Sequence, residues 1–338
     1  MTPAIFGIAG PSLSDAERAF FREADPAGYI LFARNCIAPD QLRALTDSLR
    51  ALNGRDELLV MIDEEGGRVQ RLSRDHWPRF PAGEAFDRLY EIAPISAMEA
   101  ARANAELLGR ELAAMGISAD AAPLLDVRRD ETDNVIGDRA LGRDPLRVAA
   151  LGRAILDGLG AAGVAGIVKH MPGHGRATCD THKALPTVTA DATALEEDIA
   201  PFRMLADHPL ATMGMTAHIV FTAWDAELPA TQSPAVVEQV IRGAIGFDGL
   251  LMTDDLDMEA LSGSVPERAE TAVRAGVDLA LNCWAKMADM EGIAARLPAM
   301  GARTVERLAR ANTATRAEPT ADPAELLARR DALLALAA

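Results

Sequence analysis

The feature that most narrows the fold of this chain is an alternation that runs nearly its whole length. Short apolar runs are separated by longer Ala-, Leu-, Arg- and Glu-rich segments of helical period. Such a rhythm marks repeated βα units, each strand followed by a helix that covers it. Eight runs read as strands: 4–9, 28–33, 58–63, a region within 117–127, 164–170, 211–219, 249–255 and 276–282. The fourth, ISADAAPLLDV, can hold one strand or two short pieces. Helices are expected between them. SDAERAFFREA opens on Ser14 as N-cap, PDQLRALTDSLRALNG stops at Gly54, and 96–115, 145–162, 194–206, 234–243 and 266–275 follow the same pattern. The stretch 302–338 reads as one or two covering helices with a Pro-containing break at 318–323.

Eight such units fit one α/β domain over 1–338, a (β/α)₈ TIM barrel, better than a doubly wound sheet. No GxGxxG follows the first strand, which weighs against dinucleotide binding and leaves no cofactor to expect. Aromatics are scarce at 4% while 49% of residues are hydrophobic, as suits aliphatic strands faced by Ala-rich helices. A net charge of −16 repels polyanions, so nucleic acid and anionic membrane surfaces are poor partners. Any anionic part of a substrate would then need a local basic patch. Cys36, Cys179 and Cys283 lie far apart, with no CxxC, which points to a reducing compartment and no metal. MTPAIFGIAG has no basic region before an apolar run, and no apolar stretch approaches the ~20 residues that span a bilayer. A soluble, cytoplasmic protein is expected. Its oligomeric state is not legible.

Two connections are long and irregular, 64–86 and 171–191, and both follow strands, where a barrel carries its chemistry. Polar residues collect at the strand ends: Asp63, Asp126, Lys169–His170, His218, Asp254–Asp255 and Asn282. Any one alone would read equally well as a helix N-cap. Six together read as the mouth of an active site.

KHMPGHGRATCDTHKALP, at 169–186, holds two of the three lysines and three of the six histidines. Gly173, Gly175, Pro172 and Pro186 suggest a defined but mobile loop. Asp180 and His182 are two residues apart, close enough for the carboxylate to orient an imidazole that moves protons near neutral pH. The alternative is a metal-dependent hydrolase with His170, His174, Asp180 and His182 as ligands, although Gly-rich spacing fixes ligands poorly. In GLLMTDDLDMEAL, Asp254 directly follows the strand and is expected in the mouth. Asp255 and Asp257 fall in the loop or first helical turn, where a structural role suffices. In IDEEGGRVQR, Gly66 and Gly67 permit a sharp turn that returns Arg68 and Arg71 towards Asp63.

IDEEGGRVQRL, DNVIGDRALGRDP, KHMPGHGRATCDTHKALP, MTAHIVF and LLMTDDLDMEAL occur in the order found in glycoside hydrolase family 3. The chain resembles that family, and within it the single-domain bacterial β-N-acetylhexosaminidases of cell-wall recycling. The resemblance implies a (β/α)₈ barrel and a retaining double displacement. Asp254 would be the nucleophile, His182 the acid/base and Asp180 its partner. Asp63, Arg71, Arg139, Lys169 and His170 would hold the hydroxyls and N-acetyl group of a small oligosaccharide or muropeptide. Most retaining glycosidases pair two carboxylates about 5–5.5 Å apart, so a loop histidine replaces one of them here. Some relatives with this histidine use phosphate in place of water, which leaves the acceptor open. Met171 stands where the family usually has an aromatic, and Glu64 where Gln is common.

Overall fold

The computed structural model describes residues 1–72, 75–313 and 319–337. Its eight principal strands are β1 (Thr2–Gly7), β2 (Pro26–Leu31), β3 (Leu59–Ile62), β4 (Ala119–Asp120), β5 (Ala165–Met171), β6 (Met213–Thr216), β7 (Leu250–Met252) and β8 (Ala280–Asn282). They pair in parallel and in chain order, with β8 returning to β1. The ring is completed where β7 and β8 meet at the Met252–Leu279 bridge. The expected (β/α)₈ barrel is the observed fold.

The two-residue period of a strand sorts the core. Ile5, Ile30, Met61, Ile167, Met213 and Leu281 face one another in the barrel interior. Their alternates, such as Phe6, Tyr29, Val60 and Ile62, face outward into the layer under the helices. Val168 and Leu251 do the same on the opposite side. With both faces buried, the strands read as continuous apolar runs.

The helix punctuation follows the expected chemistry. Ser14 and Glu17 form a reciprocal capping box ahead of Asp15–Ala24. Gly54 ends Pro39–Asn53 with φ 64°, a left-handed stop that glycine takes without strain. β4 is only two residues long. The chain leaves the ladder through Pro123, which has no N–H to give, and rejoins β5 at the Leu124–Lys169 bridge. The reading of 117–127 as two short pieces was therefore the better one. Two helices lie outside the expected set: Gly83–Ile92, which begins inside the long 64–86 connection, and Met287–Arg296 after β8. The expected 234–243 helix is present as Val236–Ala244 with π-type bonding, Ile245 N–H donating to the Val240 carbonyl at 2.8 Å.

The tail forms two covering helices, Ala302–Thr313 and Pro323–Leu334. Of the expected break, residue 318 lies outside the described residues, while Thr320 is tied to Glu106 through its N–H and hydroxyl. Among the described residues no helix is long and apolar enough to cross a membrane.

Candidate active site

Because all strands run the same way, their C-terminal ends open on one mouth. The mouth holds a cavity of about 280 Å³ whose walls include Asp63, Arg71, Arg139, Lys169, His170, His182 and Asp254. Seven of the eight sequence candidates thus share one space. Asp180, the eighth, reaches it through His182.

Asp254 follows β7 by two residues. Its Oδ1 accepts the N–H of Asp255 at 2.8 Å, and its Oδ2 lies 4.0 Å from His170 Nε2. Burial pushes this carboxyl up, but the neighbouring His170, His218 and Lys169 outweigh it and hold the group below the ordinary value. One oxygen is anchored and the other presents a free lone pair to the cavity. An ionised carboxylate placed this way is chemically able to attack an electrophilic carbon in the cavity.

Asp255 differs in every respect. Its Oδ1 accepts the N–H groups of Asp257 and Cys283, and its own carbonyl accepts His218 Nε2 at 3.0 Å. Burial and the charge of Asp257 push its pKa up to about 7. Asp257 in turn binds Asn282 Nδ2 at 2.6 Å and the Trp284 N–H at 3.2 Å, tying the β7 loop to the β8 loop. The carboxyls of both acids are taken up by bonds within and between these two loops, although Asp255 also lines the cavity.

His170 ends β5 with Nδ1 2.8 Å from Asp126 Oδ2. A carboxylate only accepts, so Nδ1 carries the proton and Nε2 is left facing Asp254. Asp126 is fully buried and also takes the N–H groups of His170 and His174.

Along the opposite wall runs a ladder of alternating charge. Arg71 bonds Asp63 at 3.1 Å, and Asp63 meets Lys169 at 3.2 Å. Lys169 meets Glu65 at 2.6 Å, and Glu65 holds Arg139 through two bonds of 2.7 and 2.8 Å. Burial would raise Asp63 and Glu65, yet these cations hold both below the ordinary range. Three cations against two anions leave one positive charge beside Asp254. Glu65 was not singled out from the sequence, because Asp63 at the strand end explained the acidic run. The turn at Gly66 and Gly67, with φ 91° and 58°, was the signal that its side chain could fold back.

The dyad sits on the 171–191 loop. His182 Nδ1 lies 2.8 Å from Asp180 Oδ1, which also accepts the His182 N–H at 2.9 Å. The imidazole is 59% exposed, open to both cavity and solvent. Burial raises Asp180, but the bonds from His182, its charge and that of Lys183 together outweigh it and leave the group lowered, hence ionised and able to steady an imidazolium. The loop is well anchored. Arg176 grips Asp198 at 2.6 Å, the Thr181 carbonyl accepts the Ala260 N–H, and Gly175 lies flat on the Val127 backbone.

The expected metal-ligand alternative does not assemble. His174 is buried against His170 at 5.5 Å between rings, with its pKa pushed down to about 4 by burial, while His182 is committed to Asp180. Among the described residues no group of three or more His, Cys, Asp or Glu is placed to hold a metal ion.

The profile of the glycosyl hydrolase family 3 N terminal domain matches residues 8–312. The chain belongs to glycoside hydrolase family 3. A β-hexosaminidase from Alkalilimnicola ehrlichii is 41% identical to this family 3 enzyme over 284 residues, 83% of this chain and 80% of that one. A β-hexosaminidase from Chromobacterium violaceum is 37% identical over 319 residues, 94% of this chain and 88% of the other. NagZ from Neisseria gonorrhoeae, solved in complex with N-trifluoroacetyl-D-glucosamine, aligns over 100% of this chain and 98% of its own with a TM-score of 0.88 and 30% identity. The enzyme is a glycoside hydrolase.

Proposed function

We propose that this enzyme is a retaining exo-β-N-acetylglucosaminidase. It releases terminal β-linked N-acetylglucosamine from muropeptide fragments that end in 1,6-anhydro-N-acetylmuramic acid, in cytoplasmic recycling of the bacterial cell wall. The observation that carries this reading is the single cavity shared by the ionised Asp254 carboxylate and the loop-borne Asp180–His182 pair. The β-hexosaminidase relatives, and the sugar bound to the gonococcal neighbour, support the substrate class.

His182, protonated at both nitrogens and held by Asp180, gives its Nε2 proton to the departing glycosidic oxygen. Asp254 Oδ2 attacks the anomeric carbon and the C–O bond to the leaving group breaks, leaving a glycosyl ester. Neutral His182 then takes a proton from water as the water oxygen attacks the same carbon and releases Asp254. A neutral base adds no second negative charge beside the nucleophile. Asp63, Arg71, Lys169, Arg139 and His170 hold the sugar's hydroxyls and N-acetyl group, exchanging part of the ladder for substrate.

Paired assays on p-nitrophenyl N-acetylglucosaminide and glucoside, with and without phosphate, test the proposal. A strong preference for the N-acetyl substrate, with free sugar as product whether or not phosphate is present, is expected. A better rate on the glucoside would overturn the substrate assignment, and a sugar phosphate as main product would overturn hydrolysis.

A further inference from the structure

Among the described residues, Trp284 is the only Phe, Tyr or Trp that is exposed, at 61%. An exposed indole is unusual in a chain with so few aromatics, and its position is specific. It follows β8 by two residues, and the intervening Cys283 lines the same cavity as Asp254. The segment is fixed from several sides. Asp255 accepts the Cys283 N–H, Asp257 accepts the Trp284 N–H, and Arg34 Nη2 donates to the Cys283 carbonyl at 2.5 Å. The next residue, Ala285, is held at φ 56°, a left-handed conformation that costs a non-glycine residue and that tends to mark functional segments. The turn brings Lys286 Nζ to 4.9 Å from the centre of the indole ring. Lys286 is exposed and makes no ion pair among the described residues.

An indole has two faces, and the lysine covers one of them. With 61% of the residue exposed, the indole can also stack on the apolar face of a pyranose. The ammonium beside it is a positive charge without a partner, at the rim of a protein whose net charge is −16. An anionic leaving group meets general repulsion on such a surface and needs a local cation to sit down.

We infer that Trp284 and Lys286 form the leaving-group subsite, the indole stacking on the second sugar and the ammonium pairing with a carboxylate of the leaving group, which lies on the sugar itself where no peptide is attached. The inference rests on the proposed hexosaminidase reading and deepens it: specificity for an acidic aglycone resides in the β8 loop, apart from the residues that hold the terminal sugar.

The test compares two disaccharides that share terminal N-acetylglucosamine. One ends in N-acetylmuramic acid, which carries a carboxylate, and the other is uncharged N,N′-diacetylchitobiose. In Lys286→Met the kcat/KM ratio of acidic to neutral substrate falls about fivefold, as for a solvent-facing charge pair. The wild-type ratio shrinks towards the same value as salt rises. In Trp284→Ala both substrates lose about tenfold, mainly in KM, and Trp284→Phe recovers most of it. Melting temperatures within a degree or two of wild type show that the variants fold. An unchanged ratio in Lys286→Met, or unchanged KM values in Trp284→Ala, would overturn the subsite while leaving the hexosaminidase reading intact. If the wild type releases N-acetylglucosamine from neither disaccharide, the parent reading falls and the subsite falls with it.

Discussion

Glu64 shows how one residue can serve a site without entering it. It stands beside Asp63, yet its side chain turns away from the mouth and is 1% exposed. One oxygen accepts the N–H groups of Arg71 and Leu72 at 2.7 and 2.9 Å, so Glu64 sets the backbone that delivers Arg71 to the cavity. The other oxygen has no partner, nor has Asp120 Oδ2, and both residues line a small internal cavity behind the ladder. Burial raises Glu64 from 4.5 to about 7. An acid that holds its proton more tightly when folded contributes stability that is complete below about pH 4.5 and lost as pH rises through about 7. Glu64→Gln keeps an acceptor for the two N–H groups and removes the ionisation. The variant should therefore lose less stability than wild type between pH 5 and 8, the difference reaching on the order of 3 kcal/mol. Denaturation midpoints across that range check it, and parallel curves for the two proteins would contradict it.

The strand-end pattern made Asp254 visible from sequence, but the pattern alone does not separate it from Asp255. What separates them is bonding: Asp255 spends its carboxyl on two backbone N–H groups, which no spacing rule encodes.

The 171–191 loop that carries Asp180 and His182 is defined by packing as much as by its own residues. Gly175 touches the Val127 backbone so closely that a Cβ would collide with the Val127 carbonyl. Gly175→Ala should lift the loop, and with it the Asp180–His182 pair. The expected result is a loss of kcat of at least about tenfold with a far smaller change in melting temperature, since a 1 Å misplacement of a catalytic group is costly. Equal losses in stability and turnover would argue instead for a purely structural glycine. His182→Ala should hurt substrates with poor leaving groups far more than activated aryl glycosides, which need less protonation. Rates on an aryl glycoside and a disaccharide, measured in parallel, decide this, and equal losses would remove His182 as the acid.

Element existence was legible wherever period and punctuation agreed, as with Ser14 and Gly54. The extent of β4 was not legible, because Pro123 splits the apolar run, and Gly83–Ile92 was missed because its start is hidden in a Gly- and Pro-rich connection. The π-type bonding of Val236–Ala244 leaves no trace in hydrophobic period, because one extra residue per hydrogen bond barely shifts the buried face.

Across the whole molecule, the mouth carries the chemistry and the opposite end carries a buttress. Asp278, just ahead of β8, accepts Arg242 at 2.7 Å, the Leu251 N–H at 2.9 Å, Thr304 at 3.0 Å and Arg307 at 3.1 Å. It thereby joins β7, β8, the Val236–Ala244 helix and the first tail helix. Asp278→Asn would leave the largely buried Arg242 without its carboxylate and Arg307 with Asp248 alone. A loss of about 3 kcal/mol in unfolding free energy is expected, with kcat/KM of the folded enzyme unchanged. Chemical denaturation and kinetics on the same preparation would show it, and a matching loss of activity would contradict this separation of roles.

The barrel as a whole was the most legible level, because eight βα periods survive uncertainty about any single boundary. The family resemblance supplied the rest: the choice of sugar as substrate and of histidine as proton carrier.

In the proposed double displacement Asp254 bonds covalently to the sugar. A 5-fluoro N-acetylglucosaminyl fluoride slows breakdown of the intermediate while keeping a good leaving group, so the glycosyl-enzyme should accumulate. Peptide mass spectrometry of the trapped protein should place one fluorosugar on Asp254 within residues 249–261. A label on Asp255, on His182 or on no residue while the reagent is turned over would contradict the account.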